Sequence, residues 1–288
     1  MVVIWYGIVP ITGALFSRYK WKRFREKFYN LYQAQSLDYR QYRNPENDGK
    51  IFKFNGGIES LTDGKILWVK DDNCTIPVSL EKTQCWLLPM HEGTTLPEPP
   101  QLIKWNRVST LTEGVKVFIG GEIKAEDNRL NFISSKENPL IVIFYNCPEN
   151  ELLELLILAS RTRNDYWNTF TPVSLLIGAF SLIYIAASLL PRPAFRHHVI
   201  AAMVAVFTPI LPVIPPGLLF SAAHRRLTWY ARKLRAYRDL ALFGNHLGYP
   251  VKTTSIKAYV LEVAAWIILT AGVIVNIFFI LLIISLLG

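Results

Sequence analysis

The sequence predicts an α+β membrane protein in which four transmembrane helices, one N-terminal and three C-terminal, flank an inserted small all-β domain, either a barrel or a sandwich. Two observations predict this fold class. Four stretches contain no Asp, Glu, Lys or Arg, namely 1–17, 166–191, 199–223 and 263–288. Short β-rich runs separated by turn residues fill the region between the first two of them. A wholly soluble enzyme and a disordered chain are therefore both excluded.

The predicted organisation follows from where the charged residues, 18% of the chain, are placed. In order, the parts are transmembrane helix 1 (1–17), a basic amphipathic interfacial helix with a linker (18–48), a cytoplasmic β domain (49–147), a coupling helix (148–165), transmembrane helix 2 (166–191), a proline-rich transmembrane helix 3 (199–223), a basic cytoplasmic loop with an amphipathic helix (224–257) and transmembrane helix 4 (258–288).

The first span is shorter than the others, but it ends at a dense basic run. A secretory signal would carry its positive charges before the apolar run and a cleavage site after it, so the segment is expected to stay as an anchor. The three later stretches each exceed the roughly 20 residues that a hydrocarbon core requires.

Positive charges near span ends predict the orientation, because they remain on the cytoplasmic side. Basic residues are dense after spans 1 and 3 and also precede span 2, whereas the short loop between spans 2 and 3 holds only Arg192 and Arg196. The prediction is a multi-pass protein integral to the cell (cytoplasmic or inner) membrane, with both termini outside and the β domain in the cytoplasm. Topology and anionic headgroups account for the net charge of +9, so no nucleic acid is expected as a partner.

Two amphipathic helices are predicted beside the membrane. The first presents Trp21, Phe24, Phe28 and Leu31 at helical spacing with basic residues on its other faces. The second carries a heptad-like seam of Leu227, Tyr230, Leu234, Tyr237 and Ala241. Both are interpreted as lying in the lipid headgroups, with binding of a partner as the alternative.

The β domain is predicted to contain seven short strands joined by turns. The strand candidates are 51–54, 65–70, 74–80, 84–88, 114–122, 128–134 and 140–145. Tight reversals are expected at Asn55-Gly56-Gly57, Thr62-Asp63-Gly64, Asp71-Asp72-Asn73 and Glu126-Asp127-Asn128. The proline-rich stretch 94–100 is expected to be an exposed loop.

Span 3 is unusual because Pro209, Pro212, Pro215 and Pro216 must kink or break its helix. The interruption is interpreted as a kink packed on neighbouring helices, with a transport site as the alternative. In span 4, Glu262 is expected at the membrane interface and Asn276 is expected to form an interhelical hydrogen bond.

No catalytic, cofactor-binding or metal-binding residue is nominated. Phosphate-loop, dinucleotide, zinc-protease and nucleophile-elbow motifs are absent from the sequence. Cys74, Cys85 and Cys147 have neither disulfide-framework nor metal-ligand spacing.

The leading functional hypothesis is a non-catalytic scaffold or binding module that presents the β domain at the membrane. Its expected partners are a bilayer with anionic headgroups and either another protein or a second copy of the chain. A subunit of an oligomeric channel or transporter and a membrane enzyme acting on lipid are the alternatives.

Overall fold

The computed structural model describes residues 1, 3–81, 83–90, 97–104, 107–108, 115–126, 129–134, 139–243 and 250–287. The chain divides into two compact units. Unit 1 comprises Met1–Trp21 and Asn164–Gly288, and unit 2 comprises Lys22–Arg163. A π-helical segment, Val3–Ile8, leads into helix α1 (Val9–Gln33), which begins in unit 1 and ends in unit 2.

Unit 2 is built on a closed sheet. After α1 come β1 (Gln35–Ser36), the short helix α2 (Tyr39–Tyr42), β2 (Ile51–Thr62), β3 (Ile66–Lys70), β4 (Thr75–Ser79), β5 (Gln84–Leu87), β6 (Gln101–Ile103), β7 (Lys116–Glu126), β8 (Arg129–Ile133), β9 (Ile141–Tyr145) and α3 (Glu149–Thr162). Strands β2, β3, β4, β8 and β7 pair in that order, and β7 pairs again with β2 to close a five-stranded barrel. The pairing of β4 with β8 is parallel, and β2–β3, β3–β4, β7–β8 and β2–β7 are antiparallel, which is the connectivity of an OB-type barrel.

The barrel interior is filled by apolar side chains at alternate strand positions, because successive residues of a strand point to opposite faces. Leu67 and Val69 of β3 and Ile76 and Val78 of β4 are fully buried in this core. Outside the barrel, β9 pairs with the first half of β7, and β5 and β6 continue the sheet from β9. The second half of α1 covers this part of the sheet, and its Phe28 ring lies 5.1 Å from that of Phe118.

The strand predictions are correct in position, but one predicted turn is wrong. Asn55-Gly56-Gly57 lies inside β2, which runs without interruption from the β7 pairing to the β3 pairing. Gly56 is needed there because a Cβ atom would stand 2.4 Å from the backbone oxygen of Lys70. The turn at Asp63-Gly64 is confirmed, with φ of 53° and 64°.

Other predictions about unit 2 are refined. Strands β1 and β6 were not predicted. Pro97 and Pro100 are buried rather than exposed, and Pro97 accepts a hydrogen bond from the Thr162 hydroxyl at 2.9 Å. The predicted reversal at Asp127 and Asn128 lies outside the described residues, as does 94–96.

Unit 1 consists of helices. Besides the start of α1 it contains α4 (Phe170–Leu189), α5 (Arg196–Phe207), α6 (Gly217–Leu242) and α7 (Val251–Leu287). A 3-10 turn, Leu211–Val213, separates α5 from α6. Helices α6 and α7 pack against each other, as do α4 and α5.

Two described helices, not four, are long and apolar enough to cross a membrane: Phe170–Leu189 and Val251–Ile283. The first predicted span consists of the π-helical segment and the first residues of α1, and basic residues follow in the rest of α1. The third is interrupted by its prolines, which leaves α5 with 12 residues, about 18 Å in length. The basic segment predicted as a separate amphipathic helix is the continuation of α6.

Candidate functional site

Unit 1 places polar side chains at two levels along the apolar helix α7. Glu262 stands where the uncharged stretch begins, and Asn276 lies fourteen residues further, about 21 Å along the helix axis. Each level brings together residues that are distant in the sequence. We refer to Arg18, Asp165, Arg232, Arg235 and Glu262 as the arginine cluster.

Glu262 is the centre of the arginine cluster. Its Oε1 atom accepts a hydrogen bond from Arg18 Nη2 at 2.9 Å, and its Oε2 atom accepts one from Arg235. Arg18 Nε also donates to Asp165 Oδ2 at 3.0 Å. The Glu262 side chain is only 18% exposed, so these charge-assisted hydrogen bonds form in partly dehydrated surroundings.

The fifth member, Arg232, precedes Arg235 by three positions and therefore shares its face of α6. Burial lowers the pKa of Arg232. The charges of Asp165 and Glu262 oppose this shift, whereas those of Arg18 and Arg235 add to it. The ionisation of Arg232 therefore depends on both carboxylates and on both other arginines of the cluster.

One turn beyond Glu262, an aromatic layer adjoins the arginine cluster. The His224 Nδ1 atom lies 2.9 Å from the carbonyl oxygen of Ala265, and the His224 ring lies 5.6 Å from that of Trp266. The Tyr166 ring also lies 6.3 Å from that of Trp266. Aromatic rings of this kind are typical of the boundary between lipid headgroups and hydrocarbon.

At the deeper level, Asn276 meets the proline interruption. Its side-chain amide donates to the carbonyl oxygens of Leu211 and, at 3.0 Å, Ile214. The Leu211 carbonyl would pair with the amide of residue 215 in a continuous helix, but Pro215 has no N–H to donate. Asn276 thus supplies donors that the break removes, which favours a packed kink over an open ion or substrate site.

Sequence reasoning found the two α7 residues but not their partners. The expected interhelical hydrogen bond of Asn276 is confirmed. Glu262 was placed at an interface, and the structure adds that it pairs with two arginines. A usable signal existed, because Arg18, Asp165 and Glu262 each immediately border an uncharged stretch.

The apolar stripe of α1, assigned from the sequence to the bilayer interface, contacts the sheet of unit 2 instead. The ring of Phe24 lies 4.6 Å from that of Trp86, and Phe28 is completely buried. In α6, the side that becomes buried holds Ala231, Ala236 and Leu240 rather than the predicted seam.

The cysteines show no sign of activation. Burial raises the pKa of Cys85 to about 12, and burial also raises the pKa values of Cys74 and Cys147. Among the residues that the structure describes, no group of three or more His, Cys, Asp or Glu side chains could hold a metal ion.

The two units define the class of protein: an α+β chain that combines a closed β barrel with helices apolar and long enough to cross a membrane. Comparison of the chain with protein-family models, with curated proteins and with solved structures finds no match.

Proposed function

We propose that this chain is a multi-pass integral protein of the cell membrane, and that its β barrel is a non-catalytic binding or scaffolding module on the cytoplasmic side. The observation that carries the proposal is the exposure of large apolar side chains along α4 and α7. On α4, Phe180 is 64% and Tyr184 76% exposed, and on α7 Ile267 is 64% exposed. A continuous apolar surface of this kind calls for lipid or a partner to cover it.

The lengths of the two helices match a bilayer. Phe170–Leu189 has 20 residues and Val251–Ile283 has 33, and about 20 residues cross a hydrocarbon core of about 30 Å. If the arginine cluster marks one headgroup layer, Asn276 lies about 21 Å inside, where an amide finds no water to bind. Its hydrogen bonds to the interrupted segment suit that depth.

The arginine cluster also supports the proposed topology. The hydrogen bonds from Arg18 to Asp165 and Glu262 hold the start of α4 and the start of the uncharged part of α7 at the same level. The chain between them must then leave and return, with α4 as one crossing and the interrupted α5–α6 segment as the other. The basic side is cytoplasmic by the positive-inside rule. We propose that the segment before Arg18 crosses as well, which puts both termini outside.

The barrel is proposed to bind on its outer surface, because its interior is filled with side chains. By analogy with other barrels of this connectivity, the outer face of β3 and β4 is where a ligand would meet it. That face presents Ile66, which is 37% exposed, and Trp68, whose neighbour across the pair is Pro77. We call Ile66 and Trp68 the outer barrel pair. Its partner is proposed to be a protein or a second copy of this chain.

The test isolates the full chain from its own membranes in a mild detergent and measures the mass of the particle by light scattering. We expect a defined species heavier than one chain. Ile66→Ser with Trp68→Ser should reduce it to a single chain, whereas Leu102→Ser, at a 61% exposed position on β6, should not. A lone chain at all concentrations would contradict the proposal, as would an assembly that both variants preserve.

A further inference from the structure

One side of α7 carries an exposed stripe of β-branched side chains. Its members follow one another at alternating intervals of four and three residues: Ile256, Val260, Val263, Ile267, Thr270 and Ile274. We refer to these six residues as the α7 seam. This spacing is that of the a and d positions of a coiled coil, where side chains along one face of a helix pack against a second helix.

The opposite side of α7 follows the same seven-residue repeat. Ala258, Ala265 and Gly272 are buried there. A Cβ atom on Gly272 would stand 2.6 Å from that of Phe220 in α6, and the carbonyl oxygen of Ala265 lies 2.9 Å from His224 Nδ1. A helix that keeps a strict seven-residue repeat against one neighbour winds slightly around it, so its other face keeps the same repeat. The α7 seam is thus a continuous surface opposite α6.

Lipid can cover only part of the α7 seam. With Glu262 in the headgroup layer, as proposed above, Ile256 lies about 9 Å further from the hydrocarbon core. The headgroup layer on one side of a bilayer is only about 5–7 Å thick. Ile256 is nevertheless 63% and Val260 58% exposed. Acyl chains do not reach this end of the seam, so it calls for protein to cover it.

A second copy of this chain fits the seam because of the way a membrane orients it. All copies cross in the same direction, so two α7 helices are parallel to each other. Parallel helices pair through equivalent a and d positions, and a two-fold axis then places each seam residue opposite the same residue of the other chain. The α7 seam is therefore complementary to itself.

We propose that two copies of this chain pair in the membrane through the α7 seam. This inference rests on the membrane placement proposed above and is independent of the outer barrel pair.

Two exposed lysines flank the seam and report its register. With the seam at a and d, Lys252 and Lys257 take neighbouring g and e positions. In a parallel pair, a g residue faces the e residue five positions later in the other helix. Lys252 of each chain therefore lies beside Lys257 of the other, and these like charges weaken the pairing. The effect of exposed charges is small, so the apolar contacts outweigh it.

The first experiment measures disulfide crosslinking in native membranes, because a membrane holds both chains in one plane and one orientation, whereas detergent competes for an apolar surface. The full chain carries Cys74→Ser and Cys147→Ser and keeps Cys85, which is completely buried. One cysteine is then added at a seam position, and the membranes are oxidised with copper–phenanthroline. Crosslinked dimer is measured on a non-reducing gel.

Ile256→Cys, Val260→Cys and Val263→Cys are the seam variants, and all three positions are exposed. Arg226→Cys is the matched control, since it is exposed on α6 and lies outside the seam. A disulfide requires Cα atoms within about 7 Å of each other, so the seam variants should give at least about tenfold more dimer than the control.

The second experiment exchanges the flanking charges in the Val260→Cys chain. Lys252→Glu should increase the dimer yield about three- to fivefold at low expression, because two symmetry-related pairs change from like to opposite charge. Lys252→Glu with Lys257→Glu restores like charges and should return the yield to its starting value. This order is specific to two parallel copies, since a different partner would respond to each exchange separately.

The outcomes separate this inference from the proposed function. Release of the chain from its membranes by alkaline carbonate would overturn the membrane placement. Retention in the membrane with no more dimer from the seam cysteines than from Arg226→Cys would overturn the α7 seam alone. Strong crosslinking that ignores the charge exchanges, or that changes further when both lysines are replaced, would also overturn parallel pairing of two copies.

Discussion

The side-chain amide of Asn276 donates to the backbone carbonyl oxygens of Leu211 and Ile214, which are the first residue of the 3-10 turn between α5 and α6 and the residue that follows the turn. Asn276 is 2% exposed and Leu211 is completely buried, so the hydrogen bond between them is shielded from water. The close approach also requires Gly217, where a Cβ atom would stand 2.3 Å from Asn276 Nδ2. The proline interruption and the side-chain amide of Asn276 are thus one structural feature.

Replacement of Asn276 by leucine should destabilise unit 1. The Ile214 carbonyl would lose the amide donor of Asn276, and the Leu211 carbonyl would keep only the Ile214 backbone N–H, at an expected cost of about 1–2 kcal/mol. Unfolding of the detergent-solubilised chain, followed by circular dichroism, measures the effect. Ser285→Ala is the control, since the Ser285 hydroxyl donates only to the Leu282 carbonyl of its own helix. Equal stability of the two variants would show that the Asn276 contacts contribute nothing.

Glu262→Gln should also destabilise unit 1, because Arg18 and Arg235 would then face each other without the carboxylate between them. We expect a loss of about 1–3 kcal/mol in the free energy of unfolding. Glu26→Gln is the matched control, since the Lys22–Glu26 pair has side chains 67% and 50% exposed. Exposed pairs of this kind contribute about 0.5 kcal/mol or less. The expectation fails if the two substitutions cost the same.

Two adjacent glycines of β2 allow a matched comparison of substitutions. Gly56→Ala should destabilise the barrel by about 1–3 kcal/mol, since its Cβ would stand 2.4 Å from the Lys70 backbone oxygen. Gly57→Ala meets nothing within 4 Å and should be neutral or slightly stabilising. Chemical denaturation of both variants checks the order. A Gly57 variant as unstable as the Gly56 variant would contradict the packing argument.

The cysteines provide a test of topology. In chains that retain a single native cysteine, Cys74 and Cys147 should react with a membrane-impermeant maleimide only after the cells are opened, because the barrel is proposed to be cytoplasmic. Cys85 is fully buried and its pKa is raised to about 12, so it should react only after denaturation. Arg192→Cys in a cysteine-free chain should react in intact cells. Reaction of Cys74 or Cys147 in intact cells would reverse the topology.

The sequence predicted those parts of the fold that depend on local patterns. Alternating apolar residues located β3 and β4, and the pair Asp63-Gly64 located a hairpin, because both signals lie within a few neighbouring positions. The prolines of the third span located the helix break. Composition predicted four spanning helices, whereas two described helices are long and apolar enough, because an uncharged stretch does not reveal where its helix is interrupted.

Local sequence patterns could not predict the pairings between residues that are distant in the sequence. Arg18 pairs with Asp165 and with Glu262 across 147 and 244 positions, respectively. Many other basic residues border the uncharged stretches, and only the packing of α1, α6 and α7 selects among them. The Asn55-Gly56-Gly57 segment shows a different difficulty. Glycines allow a turn and also allow close approach of two strands, and the sequence does not distinguish the two uses.

Lys27 should make the stability of unit 2 depend on pH. Its ammonium group donates to the Pro139 carbonyl, but burial lowers its pKa from 10.5 to about 8. Between these values the unfolded chain binds more protons than the folded chain, so this lysine makes stability rise with pH across about 8 to 10.5. Below pH 8 both states are protonated, and the cost of burying the charge is fully present.

Lys27→Met removes that cost, so its stability relative to the natural chain should be greatest below pH 8 and should decline as the pH rises toward 10.5. Lys22→Met, on the same helix with a side chain 67% exposed, is the control, and its difference from the natural chain should stay constant over the same range. Urea unfolding at a series of pH values measures both differences. A Lys27→Met difference that increases with pH would mean that the Pro139 contact outweighs the burial of the ammonium group.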